Sequence, residues 1–424
     1  MGQVLEEVRQ AAEAARSAVD AMAAASDEAV DAALVAIADA LRAESERILE
    51  ANAADLEAAT DLTGALRDRL RLDAERLAAI EAQVRALAGL PQLPDEGEVR
   101  EHSGLRVAER RIPIGVVGAN YEARPNVTVD VASQLIKSRN TGVLRTGGAA
   151  IRTSIACVDL AIAPGLAAAG LPREAVQIVR TPDRAAAEAL VSIPDLIRLV
   201  ILRGSGPTTA HLADIGARHG TRILAHAEGG GVLYLDRSCE ESRATGLVRE
   251  SLDRLGVCNR LNLLLIQNDV YEPLLEAILP VLDDVGVAPS LPPHDHPLGK
   301  EWATDEGNEA HVTIAPVGGP EEAADVANEV TSGLAAAVAG DDPAAAEAFL
   351  GRYRGTGAFW NASTRWLDGF KLLQAPETGI NVDRVPGPRG PVTYRDLYLR
   401  QWRVVPAASA QPERAAAAAG SGHQ

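Results

Sequence analysis

Over residues 1–90, apolar positions recur at three- and four-residue spacing. Val30, Leu34, Ile37, Ala38 and Leu41 fall on one face of a helix, and Arg42, Glu44, Glu46 and Arg47 form the solvated surface after it. Asp61-Leu62-Thr63-Gly64 interrupts the pattern, a further helical run reaches Leu87, and Pro91, Pro94, Asp95 and Gly97 mark a linker or turn. From about Arg106 the texture changes. Residues 107–112 alternate as a strand, 114–119 read as a buried strand, and 120–126 as the polar loop ending it. Strand-like runs at 142–145, 176–179, 196–202, 223–225 and 232–235 then alternate with helical stretches. These carry Val129 to Ile136, residues 151–169 (with Pro164 as a kink or break) and 184–192. The pattern repeats downstream, with helices at 241–254, 272–282, 320–329 and 343–352 and strands at 261–266, 312–314, 334–339 and 358–361. A last strand is predicted at 401–405, after the proline- and glycine-rich stretch 385–391. Residues 406–424 are alanine-rich, carry no period and are expected to be disordered. Alternation of this kind predicts parallel sheets with helices on both faces.

In such sheets, ligands bind at the carboxyl ends of the strands. The polar loops Tyr121 to Asn126, Thr146-Gly147-Gly148, Arg203-Gly204-Ser205-Gly206 and Glu228 to Gly231 all follow strands, so they are the expected cleft lining. None matches G-x-G-x-x-G, and each glycine run alone is more often a turn than a phosphate cradle. Cys258, in Gly256-Val257-Cys258-Asn259, stands where a helix gives way to a strand. A thiolate at such an element end can face substrate with help from backbone N–H groups; the alternative is a cysteine packed as a small hydrophobe. Iodoacetamide separates the two, because an activated thiolate at Cys258 labels at neutral pH before Cys157 and Cys239.

The 424 residues are enough for two or three domains, and the net charge of -18 provides no basic field for nucleic acid. Three scattered cysteines give neither a disulfide framework nor a C-x-x-C zinc pattern. No charged-then-apolar leader opens the sequence and no apolar run of 18 residues is evident, so no membrane association is expected and the location expected is cytoplasmic.

Several loops taken together resemble one family. They are Ile112-Pro113-Ile114-Gly115-Val116-Val117-Gly118 with Tyr121 to Thr128, Lys137-Ser138 with Asn140, Arg203-Gly204, Gly256 to Asn259, Asn361-Ala362-Ser363-Thr364-Arg365, and the helical run Asp68 to Leu72. Over residues 10–405 the chain is similar to the gamma-glutamyl phosphate reductases (glutamate-5-semialdehyde dehydrogenases), a branch of the aldehyde dehydrogenase superfamily. The resemblance implies an α/β fold of two Rossmann-like lobes with parallel sheets and a small β oligomerisation arm. The expected divisions are a cofactor-binding lobe over 1–240, with an arm strand near 100–112, and a catalytic lobe over 241–384. A linker and oligomerisation strand then cover 385–405, and a tail covers 406–424. It also implies NADPH-dependent reduction of a small-molecule acyl phosphate, L-glutamyl 5-phosphate, to the semialdehyde in proline biosynthesis, in a homodimer or dimer-based tetramer. Cys258 would attack the acyl phosphate and form a thioester. Its backbone N–H and the Asn126 amide would hold the oxyanion, although Asn126 also suits a turn. Arg124 and Arg254, with Asn259, are candidates for substrate; arginine forks match phosphate and carboxylate oxygens, and also surface salt bridges. Arg145, Gly204, Ser205, Gly206 and Lys371 are the cofactor-side candidates.

The chain also departs from the family. Lys371-Leu372-Leu373 replaces Glu-Phe-Gly, and an ammonium cannot accept the hydrogen bonds from ribose hydroxyls that a glutamate accepts. Ala225 falls at the superfamily's water-activating glutamate, with Glu228 nearby. The alternatives are a divergent member with another acyl substrate or weaker cofactor contacts, and a non-catalytic relative that keeps the fold.

Overall fold

A computed structural model describes residues 2–60, 62, 64–204, 206–226, 229–303, 310–382 and 389–407. The expected tail over 408–424, the linker residues 385–388, Ser205 and Glu228 lie outside the described residues.

Two layers of helix open the chain. Ser26 accepts the Ala29 N–H and Asp73 accepts the Arg76 N–H, capping the helices Asp27–Ala43 and Ala74–Ala88. The predicted face of the first, from Val30 to Leu41, is fully buried. It packs on a helical rod spanning Gly148–Ala168, in which Cys157–Ile162 is a π-helical segment directly before Pro164. Pro164 therefore leaves the rod unbroken, and the π turn accommodates its missing N–H. This rod is the one described stretch long and apolar enough to cross a membrane by length and composition, contrary to the expectation from sequence; 56% of that window is buried inside the fold. A Cβ on Gly165 would meet Ile37 Cγ1 at 2.5 Å and Ile37 N at 2.7 Å. Because a backbone atom is among the obstacles, Gly165→Val is expected to lower stability by about 3 kcal/mol, read as a lower urea midpoint.

The first parallel sheet runs in the order Val176–Ile178, Thr141–Thr146, Val116–Tyr121, Leu199–Arg203, Arg222–His226. The chain begins in the middle strand, winds outward to one side, then crosses back to the other. That reversal opens a crevice beyond the carboxyl ends of Val116–Tyr121 and Leu199–Arg203. Tyr121 pairs with Thr146 and Arg203, and Arg203 with His226, so these strand-end residues stand in one row. The expected loop 120–126 is shorter than its pattern suggests. Tyr121 still belongs to the strand, and Pro125 opens the helix Pro125–Lys137, where its fixed φ suits the first turn. The sequence pattern also does not predict the helix Gly206–His219.

The second parallel sheet has six strands, in the order Ala288–Ser290, His311–Val317, Leu261–Gln267, Gly231–Leu235, Ala335–Ala339, Gly357–Trp360. Leu261–Gln267 is buried throughout, as its continuous apolar run predicts. Gly231–Leu235 pairs with strands on both sides in this sheet, so the second lobe starts ahead of Gly231 rather than at 241.

The arm is a three-stranded antiparallel sheet of Glu96–His102, Leu105–Pro113 and Tyr398–Pro406. The helix Pro125–Lys137 holds its root. Gln134 Nε2 donates to Pro376 O at 2.7 Å while its Oε1 accepts the Tyr394 N–H. Asn140 Nδ2 donates to Leu397 O at 2.8 Å, and the buried Lys137 ammonium donates to Asp31 and to the carbonyls of Ala88 and Leu90. This accounts for Lys137 and Asn140 as structural struts.

Candidate active site

A cleft of about 400 Å³ lies between the lobes, at the crevice set by the first sheet. Cys258, Asn126, Arg124, Arg254, Asn259 and Gly204 all line it. Arg145, Gly206 and Lys371 do not, and Ser205 is outside the described residues.

The cysteine loop is held by backbone and side-chain contacts from both lobes. Gly230 N–H donates to Cys258 O at 2.7 Å, and Arg69 donates to Gly256 O at 2.9 Å. A Cβ on Gly229 would stand 2.6 Å from Cys258 O and 2.8 Å from its Cα, so only glycine permits this approach. The Asn361 to Arg365 motif buttresses the same loop: Thr364 Oγ1 donates to Asn259 O at 2.8 Å, and Arg365 donates to Asn259 Oδ1 and to Asp253. Asn259 Nδ2 donates to Leu367 O at 2.9 Å. Both ends of the Asn259 amide are thus engaged within the loop frame, and its side chain positions the cysteine.

Cys258 is partly open to the cleft, whereas Cys157 and Cys239 are buried. Its thiol is not the activated thiolate expected at rest. Burial, then the nearby Glu377 carboxylate, push it up to about 11, against the opposing pull of Arg203 and Arg124. Cys239 is held at a similar level and Cys157 is pushed up to about 12, both chiefly by burial. Any preference of an alkylating reagent for Cys258 therefore comes from access and not from resting ionisation.

Four further groups converge here that sequence reasoning did not select. Arg203 extends from its strand end into the cleft, and no described acceptor hydrogen-bonds its guanidinium. Asp130, one turn into its helix, is raised to about 6 by burial, and its Oδ2 accepts from Asn126 Nδ2 at 3.1 Å. His226 is lowered to about 3 by burial and by Arg203 and Arg124, so it is neutral at working pH. Its Nδ1 accepts the Ile380 N–H, which leaves the proton on Nε2 as a fixed neutral donor. Glu377 is raised to about 7, again by burial first. The only sequence signal for Arg203 was its place beside Gly204 in a quoted motif. Arg124, 3.6 Å from Glu122, is lowered to about 10 by burial and by Arg203 and Arg69. An arginine cluster strained in this way favours an anionic ligand.

The carboxyl edge of the first sheet could hold a dinucleotide. Arg145 donates to Asn120 Oδ1 at 3.2 Å and to the carbonyls of Pro182 and Asp183. Its Nε and the neighbouring Thr146 Oγ1 are buried without a partner among the described residues. Gly206, opening its helix, leaves open backbone, with nothing within 4 Å of a Cβ there, while a Cβ on Gly204 would stand 3.5 Å from Thr209 Oγ1. Unspent polar groups at one strand end and open backbone at the start of Gly206–His219 could serve a phosphate-bearing cofactor. Lys371 is exposed on the helix Gly369–Leu373, which Asp368 caps, while Asp368, Gly369 and Phe370 face the cleft.

The profile of the aldehyde dehydrogenase family matches residues 3–296. A gamma-glutamyl phosphate reductase of Anaeromyxobacter dehalogenans is 36% identical, covering 91% of this chain and 93% of the relative. One from Novosphingobium aromaticivorans is 35% identical over 93% of this chain and 94% of its own. The crystal structure of gamma-glutamyl phosphate reductase from Thermotoga maritima superposes with a TM-score of 0.85 at 27% identity, covering 94% of this chain and 98% of that one. An acetylating aldehyde dehydrogenase from Geobacillus thermoglucosidasius shares the fold, with a TM-score of 0.73 at 15% identity.

Proposed function

We propose that this chain, which belongs to the aldehyde dehydrogenase family and to its gamma-glutamyl phosphate reductase branch, reduces L-glutamyl 5-phosphate or a close acyl-phosphate relative to the semialdehyde, as a step of proline biosynthesis. The observation that carries this reading is Cys258 opening into a cleft it shares with Arg124, Arg203 and Arg254. The substrate brings a phosphate and a carboxylate, and guanidinium forks bind both. Cys258 attacks the acyl carbon, phosphate leaves, and a thioester remains on the sulfur. The oxyanion of each tetrahedral step is held by the Cys258 backbone N–H, the second N–H of the Asn126 amide and His226 Nε2–H. A reduced nicotinamide supplies the hydride that turns the thioester into aldehyde. Arg145, Gly204 and Gly206 would hold that cofactor. Arg145 and Arg184, the latter near enough to act on the former, are the cations available to favour NADPH over NADH.

The reading is tested in reverse, with semialdehyde, phosphate and NADP+, following nicotinamide absorbance. Turnover is expected only with phosphate present, because Ala225 provides no carboxylate to activate water. Phosphate-independent turnover would instead favour the second reading, a divergent member working on another acyl group.

The working unit is a homodimer or dimer-based tetramer in the cytoplasm. Among the described residues, Tyr398–Pro406 is an edge strand of the arm, with Trp402 at 64%, Val404 at 53% and Leu399 at 47% exposure. A long apolar edge of this kind is a pairing surface. Trp402→Glu is expected to give monomers by sedimentation at micromolar concentration, and a monomeric wild type would rule the assembly out.

A further inference from the structure

The proposed chemistry leaves one proton unassigned. Cys258 rests as a thiol, so attack on an acyl carbon requires a group that takes its proton. His226 is not that group: its Nδ1 already accepts the Ile380 N–H and its Nε2 is protonated. Asp130 lines the cleft, but its Oδ2 accepts from Asn126, and the carboxylates acting on Cys258 are Glu377 and Glu301. Glu301 does not line the cleft; Glu377 does. Glu377 shares the cleft with Cys258, and its Oε2 is buried with no hydrogen-bond partner among the described residues. Its backbone cannot drift. Pro376 O is held by Gln134, and Thr378 N–H donates to Val392 O at 2.8 Å.

Building on the nucleophile reading of Cys258, we propose that Glu377 is its general base, taking the thiol proton during attack and returning it when the sulfur leaves. In the first half the S–H bond breaks, Glu377 becomes a carboxylic acid, the S–C bond forms, and phosphate departs with the electron pair of its C–O bond. In the second half a bound reduced nicotinamide would supply the hydride to the thioester carbon. The S–C bond then breaks with its pair on sulfur, and Glu377 returns the proton. The groups facing the pair suit both states. Arg203 from its strand end lowers both Glu377 and Cys258, and Arg124 lowers Cys258. Asp368 and Asp130 raise Glu377, while the Gly369 N–H lowers it. The balance holds Glu377 at about 7, where it is ionised enough to accept and acidic enough to donate near neutral pH.

The first half can be tested without cofactor. The full-length protein is mixed with acetyl phosphate, and phosphate release and the acyl mass on the Cys258 peptide are followed from pH 5.5 to 9. Wild-type acylation is expected to rise with an inflection near 7. Glu377→Gln is expected to acylate about 100-fold more slowly at pH 7.5 and to lose that inflection. Glu377→Asp, which keeps a carboxylate, should retain an inflection at an intermediate rate. If Glu377 were only a neighbouring charge, removing it would ease thiol ionisation, so Glu377→Gln would acylate as fast as wild type or faster; either result overturns the proposal. A wild type that never acylates at Cys258 sinks the thioester reading itself. Acylated wild type with an unimpaired Glu377→Gln sinks only the base.

Discussion

Cys258→Ala is expected to reduce reductase turnover by roughly 10⁴-fold or more, the order of loss that follows when a covalent nucleophile working as a unit with its base is deleted. Cofactor binding should survive, because the candidate cofactor groups belong to the first lobe, with Arg145 on a strand of its sheet, Gly204 just past a strand end and Gly206 opening the next helix, whereas Cys258 is on the loop before Leu261–Gln267. Neither Cys157 nor Cys239 can substitute. Cys157 is 1% exposed in the helical core and Cys239 is packed at 7%, and both are outside the cleft. The check is reverse-assay kinetics beside a cofactor titration on the same variant. Residual turnover within tenfold of wild type would remove Cys258 from the chemistry.

Arg203→Met is the second large effect. The Arg203 guanidinium lowers Cys258, Glu377 and His226 together, and no described acceptor hydrogen-bonds it. A charged fork left without a protein partner in a cleft is ready for substrate oxygens. Its loss is expected to reduce kcat/KM by about 10² to 10³-fold, the size of a missing charge-stabilising donor. It also removes the cation that opposes burial at Glu377, so the acid limb of the pH–rate profile should move upward from about 7. Arg203→Lys keeps that charge and should restore the limb while recovering affinity only in part, because an ammonium lacks the fork. An unchanged limb in Arg203→Met would separate Arg203 from the Cys258–Glu377 pair.

The sheets were legible because buried parallel strands leave continuous apolar runs, as at Leu261–Gln267, and the helices Asp27–Ala43 and Tyr271–Asp284 because their buried positions keep a helical period. Gly206–His219 was not legible: it opens with Gly-Pro-Thr-Thr and buries only Thr209, Leu212 and Gly216, too few for a clear apolar stripe. Asn126 and Arg124 could be picked out as cleft residues from a motif after a strand, and Cys258 and Arg254 from one between a helix and a strand. Glu377 and His226 could not. Nothing in their local sequence marks them, and their chemistry comes from burial beside Arg203, which tertiary structure alone creates. The same limit misled the reading of the cysteine, since spacing predicts where a sulfur stands and not how much solvent it loses.

One amide of Gln134 clasps Pro376 on one side and Tyr394 on the other. The turn bearing Glu377 and the foot of the edge strand therefore share a single rivet. Shortening that side chain would loosen the Glu377 turn and the root of the arm together, so a lesion in the proposed proton transfer and one in the proposed assembly need not be independent.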